Sequence, residues 1–470
     1  MNTLYDRLKA YSESDYYGFH MPGHKRNKKY VNAGLPCAWD ITEIEGFDDL
    51  HHAEGILKEA QEQAAQVYHA DETHFLVNGS TVGLLSAVLG VTEREDTILV
   101  ARNCHKSVYH AIDMKELHPV YLYPEFDSKA GLNMAVSAED VELALREHPR
   151  IRAVVMVSPT YDGVVSDVKA ISEVVHKKGI PLIVDEAHGA HFGFHPYFPK
   201  NSNLQGADIV IHSLHKTLPS LTQTALLHMN GILVNREAVR EYLHMLQSSS
   251  PSYLLMASID SCVNLLKQEG ANLFDPYVVR LEKLRKSLKK LQSLQLVETE
   301  DYDRSKIVIS AGGSGVSGKE LQNLLLSDYH LQMEMAAGNY VLAMTSVGDT
   351  EEGFARLEKA LFELDESLEK KVSEEMNIKP PKAELVYTTA QMKRMKKMQK
   401  GEAVSVLPWK ESIGFISMEY AYLYPPGTPM IVPGERITKE ITDALRQYER
   451  LGFSIEGLHT EGCIEVWNNG

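Results

Sequence analysis

Five short apolar runs, each followed by a polar cluster, constrain this chain most. They are Thr73–Val77 (THFLV), Asp96–Val100 (DTILV), Ile151–Val157 (IRAVVMV), Pro181–Asp185 (PLIVD) and Asp208–His212 (DIVIH). Stretches of helical composition stand among them, such as Ala53–His69 and Asp167–Gly179, the second ending at a glycine stop. A continuous β-branched run suits a strand buried on both faces, and intervening helices supply the cover. The pattern predicts an α/β domain with a mainly parallel sheet. In such sheets ligands bind at the carboxyl ends of strands. The polar clusters of this chain fall at those ends.

Downstream, Glu237–Leu294 reads as long helices broken by Ser-rich and Pro-containing turns. The expected organisation is an N-terminal segment (1–52), a large domain (53–296), a small α+β domain (297–367), and a linker with a C-terminal α+β domain (368–470). The stretch YPPGTPMIVPGE, Tyr424–Glu435, holds too many prolines for a central strand and reads as an ordered turn or extended loop.

Composition excludes several classes. A net charge of −16 lacks the basic footprint of a nucleic-acid binder. Cys37, Cys104, Cys262 and Cys463 form no CxxC pair, so neither a zinc site nor a disulfide framework is expected, and a reducing cytoplasm is the default compartment. No apolar run approaches the roughly 18 residues of a membrane span. The polar stretch Met1–Ala10 lacks the apolar core of a signal peptide.

The strand-end clusters carry the chemistry. In Ser213-Leu-His-Lys216 a lysine follows a buried run, where it is costly unless paired or uncharged. One reading is a surface lysine. The other is a lysine that binds an aldehyde cofactor covalently, with Ser213 and His215 holding a phosphate. Asp185 directly after an apolar run is either structural or the counter-ion of a protonated ring nitrogen, as pyridoxal phosphate requires, with His188 close by. Asn78–Gly83 (NGSTVG) makes a turn and helix start suited to an anion, with Ser80 and Thr81 adding hydroxyls. His105 lies between a strand and a helix, where its ring can stack on a cofactor.

A phosphate-hydrolase reading fails on residue type. Asp185-Glu-Ala-His188 matches a helicase motif, but Gly313–Glu320 (GSGVSGKE) ends in Glu where a phosphate loop needs Ser or Thr for magnesium. Ser317 and Glu320 are instead the capping box of a helix.

The motifs FHMPGHK (Phe19–Lys25), DITEIEGFDDLHHAEGIL (Asp40–Leu57), NGST, DEAHGAH, HSLHKTL and YPPGTPMIVPGE together resemble the pyridoxal-phosphate-dependent ornithine/lysine/arginine decarboxylases. The resemblance covers nearly the whole chain. It fits the short form without the N-terminal receiver-like wing, so ring assembly attributed to the wing does not carry over. It implies the aspartate-aminotransferase-like fold and pyridoxal 5'-phosphate as cofactor. By position it implies that Lys216 holds the cofactor, Asp185 pairs with the ring nitrogen and His105 stacks on the ring. Ser80, Thr81, Ser213 and His215 bind the phosphate, joined by Ser248 from a partner subunit in a homodimer with shared sites. Lys216 or His215 returns a proton to the substrate carbon. Glu435 takes the distal cation of the substrate, and His24 contacts substrate. The implied reaction is decarboxylation of a basic amino acid to a polyamine-type amine, with arginine ranked above lysine and then ornithine. The residues around the cofactor leave open an aminotransferase, another lyase, or a non-catalytic cofactor-binding protein.

Overall fold

The computed structural model describes residues 14–19, 23, 25, 27, 29, 42–43, 47–371, 378–398, 403–424 and 428–468. His20, His24 and Pro425–Gly427 fall outside these residues, and so do the roles expected of them.

Helix α1 (Ile56–Tyr68) leads into strand β1 (Glu72–Leu76), a tight turn and helix α2 (Gly79–Val91). There follow β2 (Thr97–Ala101), α3 (Lys106–Met114), β3 (His118–Leu122), β4 (Ile151–Val157), α4 (Val168–His176), β5 (Leu182–Asp185), β6 (Ile209–Ser213), α5 (Leu214–Thr217) and β7 (Ala225–Met229). The strands form one seven-stranded sheet in the order β1-β7-β6-β5-β4-β2-β3. Strand β7 runs antiparallel to both of its neighbours, and the other pairings are parallel. This is the mainly parallel sheet that the apolar runs predict. Ile98, Leu99, Val154, Val155, Ile183, Val184, Val210 and Ile211 have no exposed surface, so helices cover both faces. Strands β3 and β7 escaped the sequence reading. β3 carries Pro119, which an edge strand tolerates because the missing N–H breaks no ladder bond. β7 is short and carries His228.

A second, antiparallel sheet is built from β8 (Gln295–Val297), β9 (Lys306–Ser310), β10 (Met335–Ala337) and β11 (Tyr340–Met344), in the order β8-β9-β11-β10. Its helix, Gly318–Tyr329, opens with the expected capping box. Ser317 caps the Glu320 N–H, and the Glu320 carboxylate accepts from the Ser317 N–H at 2.7 Å. A hydrophobic core runs without a break from Tyr68 on α1, through Phe274 and Tyr277, to Ile307 and Val341 of this sheet. The two sheets are thereby packed together, with residues of both facing one cleft.

Near the carboxyl end, β12 (Ala421–Tyr424), β13 (Thr428–Ile431) and β14 (Ser454–Glu456) pair in the order β13-β12-β14. The loop reading of this region is corrected for Thr428–Ile431. Pro429 sits on an edge strand, where its missing donor costs little. Among the described residues no helix is long and apolar enough to cross a membrane.

Candidate active site

The turn before α2 has a local cause. Gly79 adopts φ +74°, a conformation that glycine reaches without strain, and turns the chain from β1 into the helix. Asn78 stands at the N-cap, yet its side chain makes no cap bond; its Oδ1 accepts instead from the Ser248 N–H at 3.2 Å. The first N–H groups of α2 therefore face a cavity lined by Gly79, Ser80 and Thr81 with their dipole uncompensated by a cap. Ser80 Oγ is hydrogen-bonded to Ser213 Oγ from the end of β6.

That cavity measures about 440 Å³ and is walled by strand ends. His105, Asp185, His188, His215 and Lys216 line it with the three hydroxyl residues. The structure thus gathers eight of the residues singled out in the sequence. Lys216 is partly buried, and desolvation pushes its ammonium below the usual lysine range against the pull of Asp185. Its Nζ lies 2.9 Å from His188 Nε2. Burial raises the Asp185 carboxyl, with Lys216 acting the other way, and its Oδ1 accepts from the Ala187 N–H at 3.1 Å. Burial and Lys216 push His105 down to about 3, so the ring is neutral. Its Nδ1 accepts from the Ser107 N–H at 3.3 Å, which puts the proton on Nε2. His215 donates from Nδ1 to the Thr224 carbonyl at 2.9 Å. In the neutral ring its Nε2 is an acceptor, so it grips an anion only when protonated.

Two expected residues lie elsewhere. Glu435 is fully buried and paired through Oε2 with Arg102 at 2.9 Å, and the same oxygen accepts from the Val432 N–H. It does not line the cavity. Its Oε2 already has a cation within the chain, while its Oε1 is buried with no hydrogen-bond partner among the described residues. Ser248 is exposed and likewise does not line this chain's own cavity.

Other residues in or beside the cavity carried no readable signal. Lys306 opens β9 and is fully buried; burial lowers its ammonium to about 8, partly offset by Asp303. Its Nζ lies 3.3 Å from His188 Nδ1. Tyr161 lies with its ring centroid 4.4 Å from that of His188 and donates to Glu334. Asp162 follows it in the β4 loop and accepts from the Tyr340 hydroxyl. Lys306 and Tyr340 come from the second sheet, and no local spacing marks them.

The arrangement suits pyridoxal phosphate. It offers an amine with a lowered pKa, a buried carboxyl, an uncompensated helix N-terminus with two hydroxyls for a phosphate, and a neutral planar ring. Asn103 Oδ1, also on the cavity wall, is buried with no partner among the described residues and leaves a polar demand for a ligand to meet.

Comparison with known proteins agrees. Residues 2–310 match the family model for the major domain of the Orn/Lys/Arg decarboxylases, and residues 369–462 match that for their C-terminal domain. An uncharacterized Bacillus subtilis protein, YaaO, is 38% identical, covering 97% of this chain and 96% of its own. An arginine decarboxylase of the same organism is 32% identical over 97% of this chain and 95% of its own. Among solved structures, the Escherichia coli constitutive lysine decarboxylase superposes with a TM-score of 0.77 at 20% identity, covering 98% of this chain and 81% of that one.

Proposed function

The chain belongs to the Orn/Lys/Arg decarboxylase family, and from that premise we propose that arginine is its preferred substrate, ahead of lysine and then ornithine. It is a pyridoxal-phosphate-dependent amino-acid decarboxylase of the aspartate-aminotransferase-like fold, acting on a basic amino acid. Arginine is supported by a relative named as an arginine decarboxylase along almost its whole length.

The cofactor, when bound, supplies the sink for the electron pair that departing CO₂ leaves behind. The chain's residues do the rest. Lys216 would hold the cofactor through Nζ. Asp185, ionised, keeps the ring nitrogen protonated, because a carboxylate in a buried site gives up its charge compensation only at high cost. His105 covers the ring face with a neutral imidazole. Ser80, Thr81, Ser213 and the N-terminus of α2 hold the phosphate, with His215 joining them when protonated. Lys216 or His215 returns the proton to Cα. His188 and Tyr161, whose ring centroid lies 5.9 Å from Lys216 Nζ, flank the amine.

The reading extends to a homodimer, in which Ser248 reaches the phosphate of the partner subunit, and to a cytoplasmic enzyme that makes a polyamine-type amine. Exposure of Ser248 beside the α2 turn supports the shared site. Light scattering on the holoenzyme tests the dimer, and a monomer that is fully active refutes it.

The observation that carries this reading is the convergence of Lys216, Asp185, His105 and the Ser80–Ser213 pair on one cavity. The deciding experiment incubates the cofactor-loaded protein separately with arginine, lysine, ornithine and leucine, and quantifies CO₂ and amine. Release fastest from arginine upholds it. Faster release from lysine or ornithine reverses the ranking. No release from any, with a normal cofactor spectrum, points to another reaction of the same cofactor, such as transamination.

A further inference from the structure

A basic amino acid presents a cation at the end of an aliphatic chain, which calls for an anion on the wall of the cavity that holds Lys216, and Glu435 does not line that cavity. Asp162 meets the description. The β4 loop that carries it is closely tied. The Val164 N–H donates to Thr160 Oγ1 at 3.0 Å, and the Gly163 N–H donates to the Thr160 carbonyl at 3.0 Å. Gly163 has φ +111°, and a Cβ there would lie 2.9 Å from the Lys306 side chain, so only glycine lets the loop approach this closely. The Asp162 side chain is thereby held in a fixed place.

That place is a junction. Asp162 lines the 440 Å³ cavity with Lys216, and it also lines an adjoining cavity of about 120 Å³ walled by Tyr123, Phe126, Met335, Tyr340 and Tyr448. The aromatic and apolar part of these walls suits methylene groups, while Arg102, Lys379 and Lys382 also line them. Among the described residues no lysine, arginine or histidine pairs with Asp162 at salt-bridge distance; its one hydrogen-bonded side-chain partner is the Tyr340 hydroxyl on Oδ1. Other acids around these cavities have partners. Glu435 has Arg102, Glu334 accepts from Tyr161, and Asp185 faces Lys216.

We propose that Asp162, oriented by Tyr340, receives the distal ammonium or guanidinium of the substrate and so sets the enzyme's preference for basic amino acids. This rests on the decarboxylase reading above. The energetics point the same way. Burial raises the Asp162 carboxyl to about 6, although the Tyr340 hydrogen bond and the charge of nearby Lys306 both pull it down. An arriving cation stabilises the ionised form and recovers that cost, whereas a neutral side chain of equal length does not. Selectivity follows from this difference, since a buried carboxylate left unpaired penalises the wrong ligand.

The test uses the cofactor-loaded enzyme in two arms. In the first, Asp162→Asn is compared with wild type on arginine, lysine, ornithine and the neutral citrulline. The expected result is a KM for the basic substrates raised roughly 10- to 100-fold with kcat changed far less, and a loss of discrimination against citrulline. An unchanged KM overturns the proposal. In the second arm, agmatine, cadaverine and putrescine are titrated into wild type and Asp162→Asn by calorimetry. Binding weakened by about tenfold or more in the variant upholds the proposal. Equal binding, or none to wild type, overturns it. This arm decides even if wild type releases no CO₂ from a basic amino acid, an outcome that sinks the decarboxylase reading separately. If Asp162→Asn loses the cofactor's visible absorbance, Tyr340→Phe takes its place in both arms, with an expected weakening of about 3- to 10-fold. No weakening overturns the proposal.

Discussion

Lys216 Nζ lies 2.9 Å from Nε2 of His188, while Lys306 Nζ lies 3.3 Å from Nδ1 of the same ring. Burial and the two lysines hold His188 far below the usual histidine range, so the ring is neutral. A neutral imidazole has one acceptor nitrogen and one N–H. Two ammonium groups cannot both donate to it, so one of the two amines must carry a lone pair. The arrangement therefore favours an uncharged, nucleophilic amine at the mouth of the cofactor cavity.

Replacing Lys216 with alanine removes that amine from the cavity. The holoenzyme is expected to lose its visible absorbance band, and turnover is expected to fall by about 10³-fold or more. Absorption spectroscopy and CO₂ release check both. A variant that kept the band and its turnover would show that another group holds the cofactor.

Lys306 predicts a pH dependence. Its ammonium titrates near 8 in the fold and near 10.4 when unfolded, so between these values the unfolded chain binds more protons. Stability from this group rises with pH across that window, and its burial penalty is fully present below pH 8. Unfolding of wild type and Lys306→Met in urea at pH 7.5 and pH 10 isolates the effect. The difference between them should move in favour of wild type at the higher pH, by an amount on the order of 1–3 kcal/mol. A constant difference would mean that Lys306 does not titrate in that range.

Glu435→Gln separates the two roles of that carboxylate, the ion pair with Arg102 and the expected contact with the distal cation of the substrate. Breaking a buried ion pair by removing one charge costs about 3–5 kcal/mol, because Arg102 stays buried without compensation. Denaturant midpoints should fall accordingly, and KM for the basic substrate should stay within about twofold in the folded fraction. A KM effect without a stability effect would return Glu435 to the substrate.

A buried chain of hydrogen bonds underlies Asp185. Thr73 donates to His228 at 2.7 Å, His228 to His212 at 2.9 Å, and His212 to Glu186 at 2.7 Å. Both rings are neutral in this scheme, with every nitrogen satisfied and the Glu186 charge at the end. His212→Leu removes one donor from the Glu186 carboxylate, which keeps those of Ser202, and is expected to destabilise the protein by about 1–3 kcal/mol. Urea unfolding checks the loss. His212→Asn keeps a donor and should recover part of it.

Much of the site was legible because its members follow the runs that make the sheet. Ser80, His105, Asp185 and Lys216 each sit just beyond an apolar stretch, and a parallel sheet brings such ends together at one edge. Lys306 and Asp162 lack that mark. Lys306 reads as the first residue of an ordinary strand, and Asp162 as one polar residue in a loop. Their meeting with His188 and Tyr340 depends on packing of the second sheet against the first, across separations of 118 and 178 residues.

Glu435 shows the opposite case. A residue type and a motif position suggested a free carboxylate, but Arg102, 333 residues away, neutralises it. The sequence by itself determined the mainly parallel sheet and the cluster of polar residues at the strand ends, since these follow from local periodicity and from residues adjacent to buried runs. The tertiary structure alone decided which buried charges are compensated within the chain and which face the cavity uncompensated. That distinction depends on distances of a few ångströms between distant segments, and no local pattern encodes them.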